Sequence, residues 1–442
     1  MNIPLDNLYH WIQNLAQHPV ILYVFRPHGS KDIFDLNQFE HNPSINYGAP
    51  LAPVIICHDQ EILDFSSHKF EYSADRLQNI LKKRNPNDTT IDLVMMFYSN
   101  LPMFPNFKPS WLNVGLFQDW SILLHSEQNS PDVEQFSQVG FLPVYYWSHA
   151  MIARDWYRFA EHDIRLEQRH VEKTFLVYCR DWTPKREYRL KFLDLLISAE
   201  LVNDCVISTQ HTNNQGVHLL DYQIQDPRFL VDTKKLLCIP DNNSLPCASA
   251  DYDVKDIVST AVSVVLETVV DGVKIHLTEK ILRPIACSHP FVIIAGPGAL
   301  AYLQRYGFLT FGDIWDESYD HEPDTVKRME MIIQTMKQIQ QLSESDWKKV
   351  NAITEYNKQH FFSEKFMAQI TDELQTNLNS AVDCFLIHRG EIYWAWRKFI
   401  RRAGMTDKNP FFKNDYSKKT VYALRQHRLL RSRNGSSPVI GQ

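Results

Sequence analysis

The chain has 442 residues, 44% hydrophobic and 22% charged, a composition that excludes a wholly disordered chain, a collagen-like chain and a disulfide miniprotein and sets the expectation at two domains with additions. The formal net charge is −6 but is unevenly spread: Arg389–Arg433 carries 13 Lys and Arg against 3 Asp and Glu, a local +10, which leaves about −16 on the remainder. A basic end on an acidic body points to a polyanionic partner or an intramolecular clamp.

No apolar run reaches the ~18 residues of a membrane helix. The longest, Ile257–Val270, is interrupted by Ser259, Thr260, Ser263, Glu267 and Thr268. The opening Met1-Asn2-Ile3-Pro4-Leu5-Asp6 lacks the basic and apolar regions of a signal peptide. A cytoplasmic protein without integral membrane contact is therefore expected. Seven cysteines, an odd number with no CxxC pair, argue against a disulfide framework or structural zinc. Cys57 and Cys179 end apolar runs, where a small buried hydrophobe fits.

A helix is expected over Leu5–Gln17, then strands at Val20–Phe25, Val54–Cys57, Leu93–Tyr98, Ile122–Leu124 and Phe141–Trp147. Short apolar runs bounded by polar turns read as buried parallel strands. Ser73 and Ser148 are placed to cap helices over Ser73–Lys83 and Ser148–His162. These elements form an expected first α/β domain, residues 1–165. A second, 172–380, alternates again: strand Thr174–Cys179, helix Pro184–Ala199, strand Cys205–Ser208, polar loop Thr209–Asp226, strand Val262–Glu267, helix Thr278–Cys287, strand Pro290–Ala295 and helix Pro297–Tyr306, which Gly307 can end in left-handed geometry. Helices over Asp324–Gln341 and from Ser345 to about Asn377 complete it. Strands alternating with helices imply doubly wound sheets, and two such domains facing a cleft would bind ligands beyond the carboxyl ends of their strands. Residues 381–442 are expected to form an amphipathic aromatic helix, Ser380–Gly404, followed by the basic tail.

The strongest local motif is Leu266-Glu267-Thr268, then Ile275-His276-Leu277-Thr278-Glu279-Lys280, then Pro284 and the strand after His289. Thr278 can cap a helix whose first turn holds Glu279 and Lys280. The free N–H groups and partial positive charge of a helix start attract phosphate, and Lys280 adds a full cation. Glu279 suits a ribose diol, since a carboxylate accepts two hydroxyl bonds. The same residues also fit an ordinary capped surface helix.

This segment resembles the donor motif of the GT-B fucosyltransferase family, Phe-Glu-Asn-Ser followed by Tyr-(Ile/Val)-Thr-Glu-Lys. Glu267 matches the first element; Thr278, Glu279 and Lys280 match the second. Leu266, Thr268 and His276 depart from the Phe, Asn and Tyr of the pattern. An upstream element, Phe175–Arg180 followed by Arg189 with Phe192, Leu193 and Leu196, is similar to that family's phosphate-binding strand and arginine. The resemblance covers about Lys173–Phe311. It implies a GT-B-like α/β fold and an inverting transfer from a nucleotide diphosphate sugar, with Lys280 and Arg189 on the diphosphate, Glu279 on ribose, and Arg180, Glu267, His276 and Thr278 around the donor. Other stretches, among them Leu124–Ser130, Val144–His149, Ala153–Arg158 and Gly307–Phe311, resemble uncharacterised glycosyltransferase-like proteins of tailed bacteriophages and marine viruses.

An inverting transfer needs a base for the acceptor hydroxyl proton. Glu127 is the first candidate and His125 the second, although Ser126–Ser130 also reads as a polar loop capping the next helix. His149 and Arg154 are candidates for contact with acceptor or phosphate; pairing of Arg154 with Asp155 is the alternative. Asp316-Glu317-Ser318-Tyr319-Asp320 and Asp251-Tyr252-Asp253 are acidic enough to suggest a hard cation. Cationic side chains already supply charge for a diphosphate, so no metal or other cofactor is expected. Gly296-Pro297-Gly298 lacks the lysine of a phosphate loop. Arg397, Arg401 and Arg402, with interleaved Trp394, Trp396 and Tyr422, suit a nucleic-acid acceptor such as a hydroxymethylated pyrimidine of phage DNA. A solvated helix face, membrane-surface attachment or a glycan acceptor are the alternatives, and for the whole chain a non-enzymatic nucleic-acid-binding protein on a transferase fold.

Overall fold

The structure, a computed structural model, describes residues 8–15, 21–24, 54–71, 121–182, 184–213, 215–241 and 249–402. They fall into two compact units. The expected helix Ser73–Lys83, the expected strand Leu93–Tyr98 and the tail beyond Arg402 lie outside the described residues.

One unit takes the described parts of Leu8–His125, Asp132–Tyr146 and Leu374–Gln442. It contains α1 (Leu8–Leu15), β1 (Ile21–Val24), β2 (Val54–His58), α2 (Phe65–Glu71), β3 (Ser121–His125), α3 (Pro131–Gln138) and β4 (Leu142–Tyr145). The strands are all parallel in the order β1-β2-β3-β4, with Cys57 level with Leu124 and His58 level with His125. Ile55, Ile56, Cys57, Ile122, Leu123 and Leu124 are fully buried, which is why these strands read as unbroken apolar runs rather than as alternation. Phe136 of α3 packs edge-on against Phe65 and Phe141.

The other unit comprises the described parts of Ser126–Pro131 and Trp147–Glu373. It holds α4 (Ser148–Trp156), β5 (Lys173–Cys179), α5 (Tyr188–Ser198), β6 (Cys205–Thr209), α6 (Thr233–Leu236), α7 (Val254–Ser259), β7 (Thr260–Leu266), α8 (Glu279–Ala286), β8 (Phe291–Ile294), α9 (Ala299–Arg305), α10 (Thr325–Ile339), α11 (Glu344–Phe362) and the start of α12 (Glu364–Arg402). Its four strands are also parallel, in the order β6-β5-β7-β8. All seven residues of β7 are buried.

The chain therefore divides at Trp147 and Glu373 rather than near 165 and 380, and the later unit also claims Ser126–Pro131. Local bonding explains the assignment. Gln128 and Ile275 exchange two backbone hydrogen bonds of 2.9 Å, and the Trp147 indole donates to Leu277 O at 2.9 Å. Trp147 itself packs among Tyr302, Tyr306, Phe308 and Phe366.

Helix ends also differ from expectation. Ser148 is the first residue of α4 and Trp147 its cap, with no side-chain capping bond. That helix stops at Trp156, followed by 3-10 turns at Arg158–His162 and Ile164–Glu167, the second capped by Asp163. The long helical region breaks at Ser363, whose extended backbone separates α11 from α12 and whose hydroxyl accepts from Phe366 N at 3.1 Å. α12 then runs without interruption into the expected aromatic helix. Among the described residues no helix is long and apolar enough to cross a membrane.

Candidate functional site

In the order β6-β5-β7-β8, the chain leaves β5 to one side for β6 and returns to its other side for β7. Such a reversal opens a crevice beyond the carboxyl ends of the two central strands, where open α/β sheets bind ligands. Arg180-Asp181-Trp182 leaves β5 there, and Glu267-Thr268 leaves β7.

Glu267 is fully buried. Its carboxylate accepts from Thr278 N at 3.2 Å and from Thr278 Oγ1 at 2.7 Å, which fixes the start of α8. Thr278 Oγ1 accepts in turn from Lys280 N at 3.4 Å and from Lys280 Nζ at 3.0 Å. Lys280 Nζ also reaches Glu279 Oε1 at 2.9 Å, and its side chain stays 25% exposed. On the far side of that carboxylate, His149 Nδ1 lies 3.3 Å from Glu279 Oε2. This is ion-pair range, and the other ring nitrogen of His149, Nε2, makes no hydrogen bond. The His276 ring meets His149 edge-on at 5.1 Å, and His276 Nδ1 lies 3.3 Å from Ser126 O. Glu127 completes the cluster. It pairs with Lys274 Nζ at 3.0 Å and accepts from Ser130 Oγ at 2.5 Å.

Three segments of one unit, 126–130, 147–149 and 267–280, thus converge on a buried polar cluster. Burial pushes the Glu279 carboxyl upward, but Lys280 and His149 more than offset it and hold the group well below the usual carboxylate range. Burial, reinforced by the neighbouring His149, holds His276 well below the usual histidine range. The arrangement can therefore present a carboxylate, an ammonium and a neutral imidazole together.

Other sequence-derived residues take different places. Arg189 is buried, with donors committed to Asp181 O at 2.6 Å, Leu266 O at 3.0 Å and the Tyr188 hydroxyl at 3.3 Å. It ties the exits of β5 and β7 together, and Tyr188 assists by donating to Glu267 O. Arg180 is half-buried at the end of β5. His125 closes β3 in the other unit, with its ring 5.8 Å from Tyr145. Glu127, expected in the first domain, belongs to the later unit. Arg154 turns its guanidinium onto Phe361 O and Ser363 O, where it holds the break between α11 and α12, while Asp155 pairs with Arg158. Arg397, Arg401 and Arg402 lie on α12, in a stretch whose side chains are outside the description.

The acidic triplets have structural partners. Asp253 caps α7 through Lys255 N and Asp256 N. Asp320 accepts from Leu300 N at 3.0 Å, Glu317 from Phe311 N at 2.9 Å, and Asp316 from Ser318 N at 2.8 Å. Among the described residues, no group of three or more His, Cys, Asp or Glu is placed to hold a metal. Gly296 serves a close approach, since a Cβ there would lie 2.9 Å from Lys274 O.

Sequence reasoning passed over Ser126, Lys274, Tyr188 and Tyr157, whose hydroxyl lies 3.3 Å from Glu279 O. Lys274 carried a signal: it stands two residues before His276 across Ile275, and alternate residues of an extended segment share a face. A groove of about 1040 Å³ in this unit lies elsewhere. Thr174, Ala261 and Pro290 place it at the amino ends of β5, β7 and β8. Groove and polar cluster thus lie at opposite ends of the sheet, and the chemistry decides, because the reversal of strand order acts at the carboxyl end. No family model matches the chain, and no curated protein or solved structure is significantly similar to it.

Proposed function

We propose that the protein is a glycosyltransferase of GT-B type that takes its sugar from a nucleotide diphosphate sugar. The observation that carries this reading is the helix start Thr278-Glu279-Lys280, fixed by buried Glu267 beside the reversal of strand order. Lys280 and the amides of the first turn of α8 would hold the diphosphate. Arg189 supports this arrangement from behind as a scaffold for both strand exits. In an inverting transfer the acceptor oxygen attacks the anomeric carbon, the bond to the diphosphate breaks, and the departing charge falls to Lys280. The local +10 of Arg389–Arg433 favours a polyanionic acceptor, nucleic acid above a neutral glycan.

The test is a thermal-shift screen across UDP, GDP and their sugars, followed by calorimetry on Lys280→Met. A ligand present at a hundred times its Kd should stabilise the protein by about 2.7 kcal/mol. The variant should bind that ligand about 10- to 100-fold more weakly, the scale of one charge-assisted hydrogen bond. Absence of any nucleotide-dependent shift in the wild type overturns the reading. Retention on DNA but not on neutral oligosaccharide, weakening as salt rises, would select the nucleic-acid acceptor.

A further inference from the structure

The base expected for the transfer was Glu127, but that carboxylate is engaged by Lys274 and Ser130. His149 stands differently. It is 2% exposed; its Nδ1 faces Glu279 Oε2 at 3.3 Å, and its Nε2 makes no hydrogen bond. Buried polar groups are nearly always satisfied, and an unsatisfied one calls for a ligand or a chemical role. A second such atom, Ser126 Oγ, lies in the same cluster, next to the carbonyl that His276 reaches.

We propose that His149 is the catalytic base of the transfer and that Glu279 is its positioning residue. This rests on the transferase reading above. Glu279 bridges the two functions: Oε1 touches the Lys280 ammonium assigned to the diphosphate, and Oε2 faces His149 Nδ1. A carboxylate beside Nδ1 favours the tautomer that carries its proton there and leaves Nε2 as the acceptor. The acceptor hydroxyl gives its proton to Nε2 while its oxygen bonds to the anomeric carbon. The bond from that carbon to the diphosphate breaks, and the diphosphate leaves with the electron pair toward Lys280. The imidazolium is stabilised by Glu279. The titratable groups that face His149 are Glu279 and His276; Lys280 acts on both of these neighbours and Lys274 on His276, and the Tyr157 hydroxyl lies on the Glu279 carbonyl.

The test follows release of UDP or GDP from the sugar nucleotide that binds, with water as acceptor, in wild type, His149→Gln, His149→Ala and Glu279→Gln. Expected is a 100- to 10,000-fold loss of kcat in both His149 variants, the usual worth of general base catalysis, with the Kd for the nucleotide diphosphate held within about threefold. Added imidazole should restore part of the His149→Ala rate, which a purely structural histidine would not allow. Glu279→Gln should lower kcat and shift the acid limb of the pH profile. Wild-type turnover with undiminished kcat in His149→Gln overturns the assignment and leaves the transferase reading standing. Nucleotide binding without any turnover in the wild type overturns both. Should the His149 variants fail to fold, the wild-type kcat profile decides: a rate that rises with pH through a single ionisation supports the base, and a flat profile from pH 5 to 9 overturns it.

Discussion

Among the described residues the two sheets have the same strand count and the same parallel pairing, yet they finish their carboxyl ends differently. In the sheet β1-β2-β3-β4 the described strands follow chain order, and polar groups past them satisfy one another. Asp59 is fully buried and accepts from the Tyr9 hydroxyl at 2.9 Å and from the Tyr146 hydroxyl, while Gln60 donates to Tyr9 at 2.6 Å. In the sheet β6-β5-β7-β8 the order reverses, and the cluster beyond it contains two unsatisfied buried side chains, His149 and Ser126. A closed polar network is a stability device; an open one of the same size is a place for chemistry.

The largest effect should come from breaking the closed network. Asp59→Ala removes the acceptor of two buried tyrosine hydroxyls, Tyr9 and Tyr146, and the loss should amount to about 3–5 kcal/mol of stability. Burial, the larger cause, and the Asp59 charge hold Tyr9 and Tyr146 well above the usual phenol range, and the burial persists in the variant. Urea denaturation measures the loss. Nucleotide affinity, measured where the variant remains folded, should not change. Lys280→Met should do the reverse, with affinity lost and stability kept. If both variants lose stability and binding together, the contrast between the networks is wrong.

Much of this architecture was legible because short apolar runs have one meaning when both faces of a sheet are covered. Val54–His58 and Thr260–Leu266 show it. The Thr278 cap was equally plain, since its hydroxyl acts on residues two positions along the chain. What escaped was set by distant partners. Nothing near Gln128 announces its pairing with Ile275, almost 150 residues away, which groups Glu127 with the later unit. Arg154 was legible as a cation but not as the group holding the carbonyls of Phe361 and Ser363. Its role depends on a helix break that only packing reveals.

A middle case is Glu317, which has an amide donor from Phe311 but remains poorly solvated. Burial pushes its carboxyl up to about 7 from an ordinary 4.5, against the lowering effect of the Phe311 amide. Below 4.5 the group is protonated in both folded and unfolded chains. Between 4.5 and 7 the unfolded chain has released its proton while the folded one retains it, so stability falls as pH rises through this window. Glu317→Gln removes the titration. Relative to wild type it should gain about 3 kcal/mol between pH 4 and pH 8, at ~1.4 kcal/mol per unit. A wild-type-minus-variant difference that does not move with pH would show the carboxylate to be as well served as Asp59.

The smallest effect discriminates most finely, because it asks whether the helix start is held by hydrogen bonds or by packing alone. Thr278 is 2% exposed, and its hydroxyl donates to Glu267 and accepts from Lys280 N. Thr278→Ala deletes a cap, at about 0.5–2 kcal/mol, and also removes a donor from Glu267. Thr278→Ser keeps the hydroxyl and loses only the methyl group, so its cost should stay near 1 kcal/mol or below. Nucleotide affinity should follow the hydroxyl, falling in Thr278→Ala and persisting in Thr278→Ser, because Lys280 Nζ rests on the same oxygen. If the serine variant loses as much affinity as the alanine variant, the methyl group rather than the hydroxyl organises the turn. The second sheet would then be organised at its carboxyl end by packing, unlike the hydrogen-bonded end of the first.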